Sequence, residues 1–295
     1  MIKIKRILVP IDFSEVSERV VKYALFLAKQ YKAKLTLLHA VVLFQEDAEE
    51  EKHMHAMEGI INAKESKRRK KIDIHIATSR KKGIKINSVM LRGFSAADVI
   101  LDHIYANKYD LIVMGTHGRS GFAKWVFGSV AEKIVRHSPV PVVSLHKEFR
   151  KDVVNKVLIP IDFSKFSKHA VNTGTEIAKK FKAELTFLHS VEQEAHPEFY
   201  ASYYDSILRI NPRLEEKIIT NMIKFTRIKP GKANYVVLEG KAHRQIQEYA
   251  KKKGVNLIVM ATRGMGMLDD LLIGSNAERV VKIAHCPVLT VRGKK

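Results

Sequence analysis

The chain has 295 residues, 46% of them hydrophobic and 28% charged, with a formal net charge of +21. That mixture excludes a disordered chain, and no apolar run approaches the roughly 20 residues of a membrane-crossing helix. A single cysteine, Cys286, excludes a disulfide framework within the chain and points to a reducing, cytoplasmic setting.

In chain order the first copy of a pattern opens at Met1-Ile2-Lys3-Ile4-Lys5-Arg6, which leads into a strand at Ile7-Leu8-Val9 with no signal-peptide core. Further short apolar runs follow at Leu35 to Leu38, Val89-Met90-Leu91, Leu111 to Met114 and Val140 to Leu145, as expected of strands covered on both faces. Helical stretches alternate with them. Val16, Val20, Ala24, Leu27 and Ala28 line one face of the first, and Ala97, Ile100, Leu101 and Ile104 line another. After the charged hinge Lys147 to Lys156 the order repeats, with strands at Val157-Leu158-Ile159, Leu185 to Leu188, Tyr235 to Leu238, Leu257 to Met260 and Val288 to Val291. Five strands alternating with helices, twice over, predict two tandem α/β domains, each a doubly wound parallel sheet.

The repeat is legible residue by residue. Val9-Pro10-Ile11-Asp12-Phe13-Ser14 returns 150 residues later as Ile159-Pro160-Ile161-Asp162-Phe163-Ser164. Asp110-Leu111-Ile112-Val113-Met114 and Gly128-Ser129 return 146 residues later as Asn256-Leu257-Ile258-Val259-Met260 and Gly274-Ser275. A unit this long has the size of a domain, not of a solenoid repeat.

Charge follows the same division. Residues 1–150 hold 27 basic and 16 acidic side chains and the remainder 25 and 15, so neither half carries a basic tail. The one dense run, Lys64, Lys67, Arg68, Arg69, Lys70 and Lys71, then Arg80-Lys81-Lys82, contains no interleaved aromatic residue of the kind that stacks on bases. Two readings stay open for it: a solvated lysine-rich face, or a patch for phosphate backbones and other anionic surfaces.

In an open parallel sheet, function sits beyond the carboxyl ends of the strands where the strand order reverses. Asp12 follows the first strand. After the fourth comes Met114-Gly115-Thr116-His117-Gly118-Arg119-Ser120-Gly121, and then Gly128-Ser129 opens a helix. Glycines there permit positive φ and close backbone approach, and the helix start favours a phosphate. Each piece also has a plain structural reading. Ser129-Val130-Ala131-Glu132 and Ser275-Asn276-Ala277-Glu278 fit a capping box, and Asp12 is a candidate cap for the helix after it. Arg119 and Arg263 are either phosphate ligands or solvated loop residues. His39 and His189, at strand ends, read as hydrogen-bonded structural residues, and His53 and His55 lie on different helix faces, so no metal site is expected. Phe199, Tyr200, Tyr203 and Tyr204 fall in an insertion of the second copy and read as a packing cluster or partner surface. Cys286, beside Pro287 at a strand start, reads as an inert buried thiol.

The ordered set Pro-x-Asp-x-Ser, a His at the end of the second strand, and Gly-x2-Gly-x9-Gly-Ser after the fourth resembles the universal stress protein family (UspA-like), in its tandem two-domain form. The resemblance covers nearly the whole chain. It implies residues 1–147 as one domain with an intact motif and 154–293 as a second with an altered one, each a five-stranded Rossmann-like sheet, similar to the adenine nucleotide alpha hydrolases, of order 3-2-1-4-5. Carried over, it places Pro10, Asp12 and Ala40 on the adenine and ribose side and Met114, Gly115, Gly118, Gly128, Ser129 and Val130 on the phosphate side of an ATP or AMP site, with or without Mg²⁺. The second-copy candidates are Pro160, Asp162, Ser190, Met260, Gly264, Gly274, Ser275 and Asn276; there Ala261 replaces the first glycine and Asn276 replaces Val130.

No Lys-Ser or Lys-Thr of a P-loop follows either glycine loop, and no Ser-Gly-Gly loop follows the first strand, so no catalytic residues are assigned. The expectation is a regulatory nucleotide-binding protein of the stress response, with a slow ATPase and a nucleic-acid-associated protein using the basic 64–82 face as alternatives. Family dimers imply an intramolecular pseudo-dimer through Pro141-Val142-Val143 and Pro287-Val288-Leu289, compatible with a further homodimer.

Overall fold

A computed structural model describes residues 3–43, 51–80, 83–116, 127–146, 149, 152–192, 206–264 and 273–293; within 51–80, side chains are described at 58, 59, 62, 63 and 65–77. The chain forms two compact units, Lys3–Val142 and Val143–Lys295. In order, the first copy runs β1 (Arg6–Pro10), α1 (Glu15–Tyr31), β2 (Lys34–Val42), α2 (Glu51–Arg80), β3 (Ile86–Gly93), α3 (Ala96–Ala106), β4 (Leu111–Gly115), α4 (Ser129–His137) and β5 (Val142–Leu145). The second runs β6 (Lys156–Pro160), α5 (Lys165–Phe181), β7 (Glu184–Val191), α6 (Ile207–Ile210), α7 (Pro212–Thr226), β8 (Asn234–Glu239), α8 (Ala242–Lys253), β9 (Leu257–Ala261), α9 (Ser275–Ile283) and β10 (Val288–Val291). The unit boundary falls inside β5.

All pairings within each unit are parallel. The first sheet is ordered β3-β2-β1-β4, and the N–H of Ile112 donates to the Pro141 carbonyl at 3.0 Å, which brings the chain beside β4 as it enters β5. The second is ordered β8-β7-β6-β9-β10, the full 3-2-1-4-5 arrangement. The strand order therefore reverses between β1 and β4, and between β6 and β9. The fifth strand begins at Val142, not Val140, because Pro139 and Pro141 lack amide donors and Ser138 turns its hydroxyl back to the Val140 carbonyl at 2.7 Å.

Apart from half-buried Val16, the periodic apolar faces are the buried ones. Ala97, Ile100, Leu101 and Ile104 of α3 are all buried, and α1 buries Val20, Val21, Tyr23, Ala24, Leu27 and Ala28, with Tyr23 the large side chain that the apolar periodicity does not single out. Both long first helices begin alike: Ser14 and Ser164 cap α1 and α5 by accepting from the N–H of Ser17 at 3.2 Å and of Ser167 at 3.0 Å. Both end on a lysine in the left-handed region, Lys32 and Lys182, each at φ 53°. Among its described residues the α2 helix is docked through buried Ile72, through His75, which meets Glu18 of α1 at 3.1 Å, and through Glu65, onto which Arg92 of β3 forks at 2.7 and 3.1 Å. That guanidinium holds the Glu65 carboxyl below its ordinary pKa. No helix among the described residues is long and apolar enough to cross a membrane. Cys286 is buried, and desolvation pushes its thiol up to about 12, as an inert core residue requires.

The two cores are filled by different partitions of one volume. A methyl on Gly174 of α5 would sit 2.4 Å from Ile159 Cδ1 and 3.2 Å from Val259 Cβ, so the helix packs on β6 and β9 with no room for a side chain. In the first copy the same two positions are Ala24 and Val9, both fully buried: a methyl has moved from strand to helix. Gly174→Ala alone is expected to lower the unfolding free energy by about 1 kcal/mol, overpacking of about 1–3 kcal/mol outweighing a helix-propensity gain of about 1 kcal/mol. In an Ile159→Val background the same change is expected to be neutral or stabilising; a urea double-mutant cycle measures the difference.

Candidate functional site

The turn after β1 is built around one carboxylate. Asp12 Oδ1 accepts from the Ser14 N–H at 3.0 Å and from the Ser17 hydroxyl, while the Asp12 N–H donates to Ser17 Oγ at 3.0 Å. Asp12 is thus not the helix cap; Ser14 is, and Asp12 is held against the first turn by the same residues. Between them Phe13 takes φ 65°, a left-handed conformation that L side chains disfavour. It is held from below. His39, buried within β2 and three residues short of the strand end where the sequence suggests it, hydrogen-bonds through Nδ1 to the Ile11 carbonyl at 2.8 Å, and its ring lies 4.7 Å from that of Phe13. A carbonyl can only accept, so Nδ1 carries the proton.

The second copy repeats this anchor: Phe163 at φ 61°, the Asp162 carboxylate on the Ser164 N–H at 3.0 Å, and His189 Nδ1 donating to Ile161 at 2.7 Å. The two histidines are the structural residues the sequence suggests, and among the described residues no cluster of His, Cys, Asp and Glu could hold a metal ion.

The glycine loop closes on itself in both copies. The Gly128 N–H donates to the Thr116 carbonyl at 2.9 Å, and Gly274 to Thr262 at 2.7 Å, so the chain leaves and returns at the same point beyond β4 and β9. Gly118 and Arg119 lie in residues 117–126, outside the described residues, as do Phe199, Tyr200, Tyr203, Tyr204 and the side chains of His53 and His55. Gly128 and Gly274 have φ of −62° and −64°, so neither is a glycine for backbone conformation. They are the N-caps of α4 and α9, which makes Ser129 and Ser275 the first helical residues.

That placement removes the capping box. Ser129 and Ser275 are exposed, and neither helix start carries a side-chain capping bond. Glu132 turns instead to Arg136 at 2.7 Å, and Glu278 to Lys282 at 2.6 Å. The leading N–H groups of α4 have no intrahelical acceptor, and the helix dipole adds positive potential there. Asp12 at the end of β1, with Pro10 in the strand before it, and Met114-Gly115 at the end of β4 stand on adjacent strands, Ile7 opposite Leu111 and Leu8 opposite Ile112. Ala40 lies on β2, two residues beyond the partner of Pro10.

The second copy brings its candidates together with differences. Pro160 ends β6 and Met260 is the penultimate residue of β9, on adjacent strands. Ala261 is the last residue of β9, buried and extended, so its methyl costs no backbone strain. At Gly264 a Cβ would lie 2.6 Å from Asp162 Oδ2, so a side chain there would press on that carboxylate. Ser190 donates its hydroxyl to the Gly240 carbonyl at 2.6 Å, and Asn276 Oδ1 meets His243 Nδ1 of α8 at 3.3 Å. Burial holds His243 below its ordinary pKa, the Asn276 bond opposing. Arg263 is neither solvated nor extended toward a ligand: it is 8% exposed, with its guanidinium carbon 5.7 Å from the Phe166 ring centre. Of the basic run, Lys67, Arg69, Lys70 and Lys71 are exposed, and Lys71 reaches back to place its ammonium 5.8 Å from the Phe13 ring.

Comparison with known proteins places this geometry. The sequence profile of the universal stress protein family matches residues 3–146 and again 154–292. A universal stress protein of Methanocaldococcus jannaschii is 34% identical over 146 residues, covering 49% of this chain and 86% of its own. The universal stress protein E homolog of Haemophilus influenzae is 22% identical and aligns over 99% of both chains. Among solved structures, a universal stress protein from Archaeoglobus fulgidus superposes with a TM-score of 0.66 at 23% identity, over 98% of both chains. The chain belongs to the universal stress protein family, in tandem form.

Two serines at helix starts of the first copy, Ser14 at α1 and Ser129 at α4, separate capping from binding. Ser14→Ala is expected to cost about 1 kcal/mol of stability, the usual worth of an N-cap. Ser129→Ala, which removes no capping bond, is expected to stay within about 0.5 kcal/mol of wild type in the same urea titration.

Proposed function

We propose that this chain is a regulatory nucleotide-binding protein of the stress response, with an adenine nucleotide, ATP or AMP, held in the first domain. The observation that carries the reading is the convergence of the Asp12 carboxylate and the α4 N-terminus on neighbouring strand ends at the reversal of strand order. A carboxylate suits ribose hydroxyls or an adenine edge, and a helix start with exposed N–H groups and an exposed Ser129 hydroxyl suits phosphates. Pro10, Ala40, Met114, Gly115, Gly118, Gly128 and Val130 complete the proposed site, with Mg²⁺ as the counterion of a triphosphate. Asp12 is already positioned by Ser14 and Ser17, so binding orders little of the turn. In this reading the ligand is an effector, and its occupancy biases the pairing of the two copies through their fifth strands, the arrangement the family resemblance implies.

Acid denaturation of the purified protein is expected to release adenine nucleotide. Asp12→Ala is expected to weaken ATP binding by roughly 10- to 100-fold in calorimetric titration, the loss of about 1.5–3 kcal/mol from hydrogen bonds to a charged group. Release of no nucleotide, with no heat on adding ATP, would sink the reading.

A further inference from the structure

Beside the single changes at Ala261 and Ser190, the two copies differ around their candidate sites in two contacting pairs. Where the first copy has Val16 and His117, the second has Phe166 and Arg263, and the second pair is in contact, the guanidinium over the ring. Where the first has Ala97 and Val130, the second has His243 and Asn276, again hydrogen-bonded to each other. Chance decay of a disused site alters residues independently; these alterations come as partners.

The first pair bears on access to Asp162. Oδ1 of that carboxylate accepts from the Ser164 N–H, and Oδ2 lies against Gly264, close enough that a side chain there would collide with it. Oδ1 is thus engaged by the turn, and Oδ2 stands beside Gly264, the residue as a whole being half-buried. A ribose hydroxyl approaching Oδ2 meets the Arg263–Gly264 segment, in which Arg263 is buried. Its guanidinium is buried on Phe166, a cation–π contact that strengthens where water is excluded. Phe166 is itself packed over a glycine. Its ring sits where a side chain on Gly293 would be, 2.5 Å from the Cβ position, with the Lys165 ammonium 5.3 Å from its centre. In the first copy the residue at the Phe166 position is a valine, which offers a cation no π face.

We propose that Arg263 and Phe166 form a latch that holds the second-domain site shut over Asp162, so that the chain carries one adenine nucleotide, in its first domain. This rests on the nucleotide-binding reading above. The differing residues are then an occupancy control built into one copy of a duplicated site.

The test counts ATP bound per chain by calorimetry on nucleotide-stripped protein, with folding checked by circular dichroism. Wild type is expected to bind one ATP, and Phe166→Val/Arg263→His, which installs the first copy's residues, is expected to bind two. Asp162→Ala in the wild-type background is expected to leave one ATP bound at unchanged affinity, a readout that holds even if the double variant does not fold. Two ATP per wild-type chain, a folded double variant that still binds one, or loss of a bound ATP in Asp162→Ala would each overturn the latch. Wild type binding no ATP would instead overturn the nucleotide reading on which the latch depends.

Discussion

Each candidate site hangs on a hydrogen bond from an imidazole to the carbonyl just past a strand end, buried His39 to Ile11 and half-buried His189 to Ile161. The bond holds a turn in which a phenylalanine, not a glycine, takes a left-handed backbone conformation. That conformation costs about 1–2 kcal/mol for a residue with a Cβ. A net hydrogen bond of about 1 kcal/mol and a ring contact of about 0.5–1.5 kcal/mol offset it. What results is a carboxylate whose position is set by the protein before any ligand arrives. Glycine at Phe13 would relax the backbone but remove the ring on which His39 rests.

The parallel sheet makes this placement useful. Strands buried on both faces leave only their ends as exposed polar backbone, and crossovers that depart in opposite directions from β1 and β4 open a crevice between those ends. The Asp12 turn comes from one side of it and the α4 N-terminus from the other. The Gly128 to Thr116 bond ties the start of α4 to the end of β4.

Duplication lets one copy vary while the other keeps the motif. In the core the variation is compensated by volume, Gly174 with Ile159 standing for Ala24 with Val9. At the candidate site it is compensated by contact, Arg263 on Phe166 and Asn276 on His243. Both are consequences of close packing, in which a change at one position is tolerated when its neighbour changes too.

Much of this was legible in the amino-acid sequence. Two domains, five parallel strands in each and the carboxylate and glycine loops at their ends follow from a 150-residue repeat, short branched apolar runs and local motif spacing, all of which are properties of the chain read along its length. Local rules also favour a capping box at Ser129 and a loop arginine at position 263 that is solvated or ligand-facing, and both readings fail. Ser129 fits the capping pattern, but the cap is one residue earlier because Gly128 is tied to Thr116 across the loop. Arg263 is followed by a glycine and looks like any loop cation, yet it is buried because α5 delivers Phe166, 97 positions away, to the end of β9. Propensity, periodicity and spacing act over a few residues and so determined the elements and their order. Which side chains meet at the strand ends was decided only by the tertiary structure, because the crossovers of a parallel sheet join positions that are far apart in the chain.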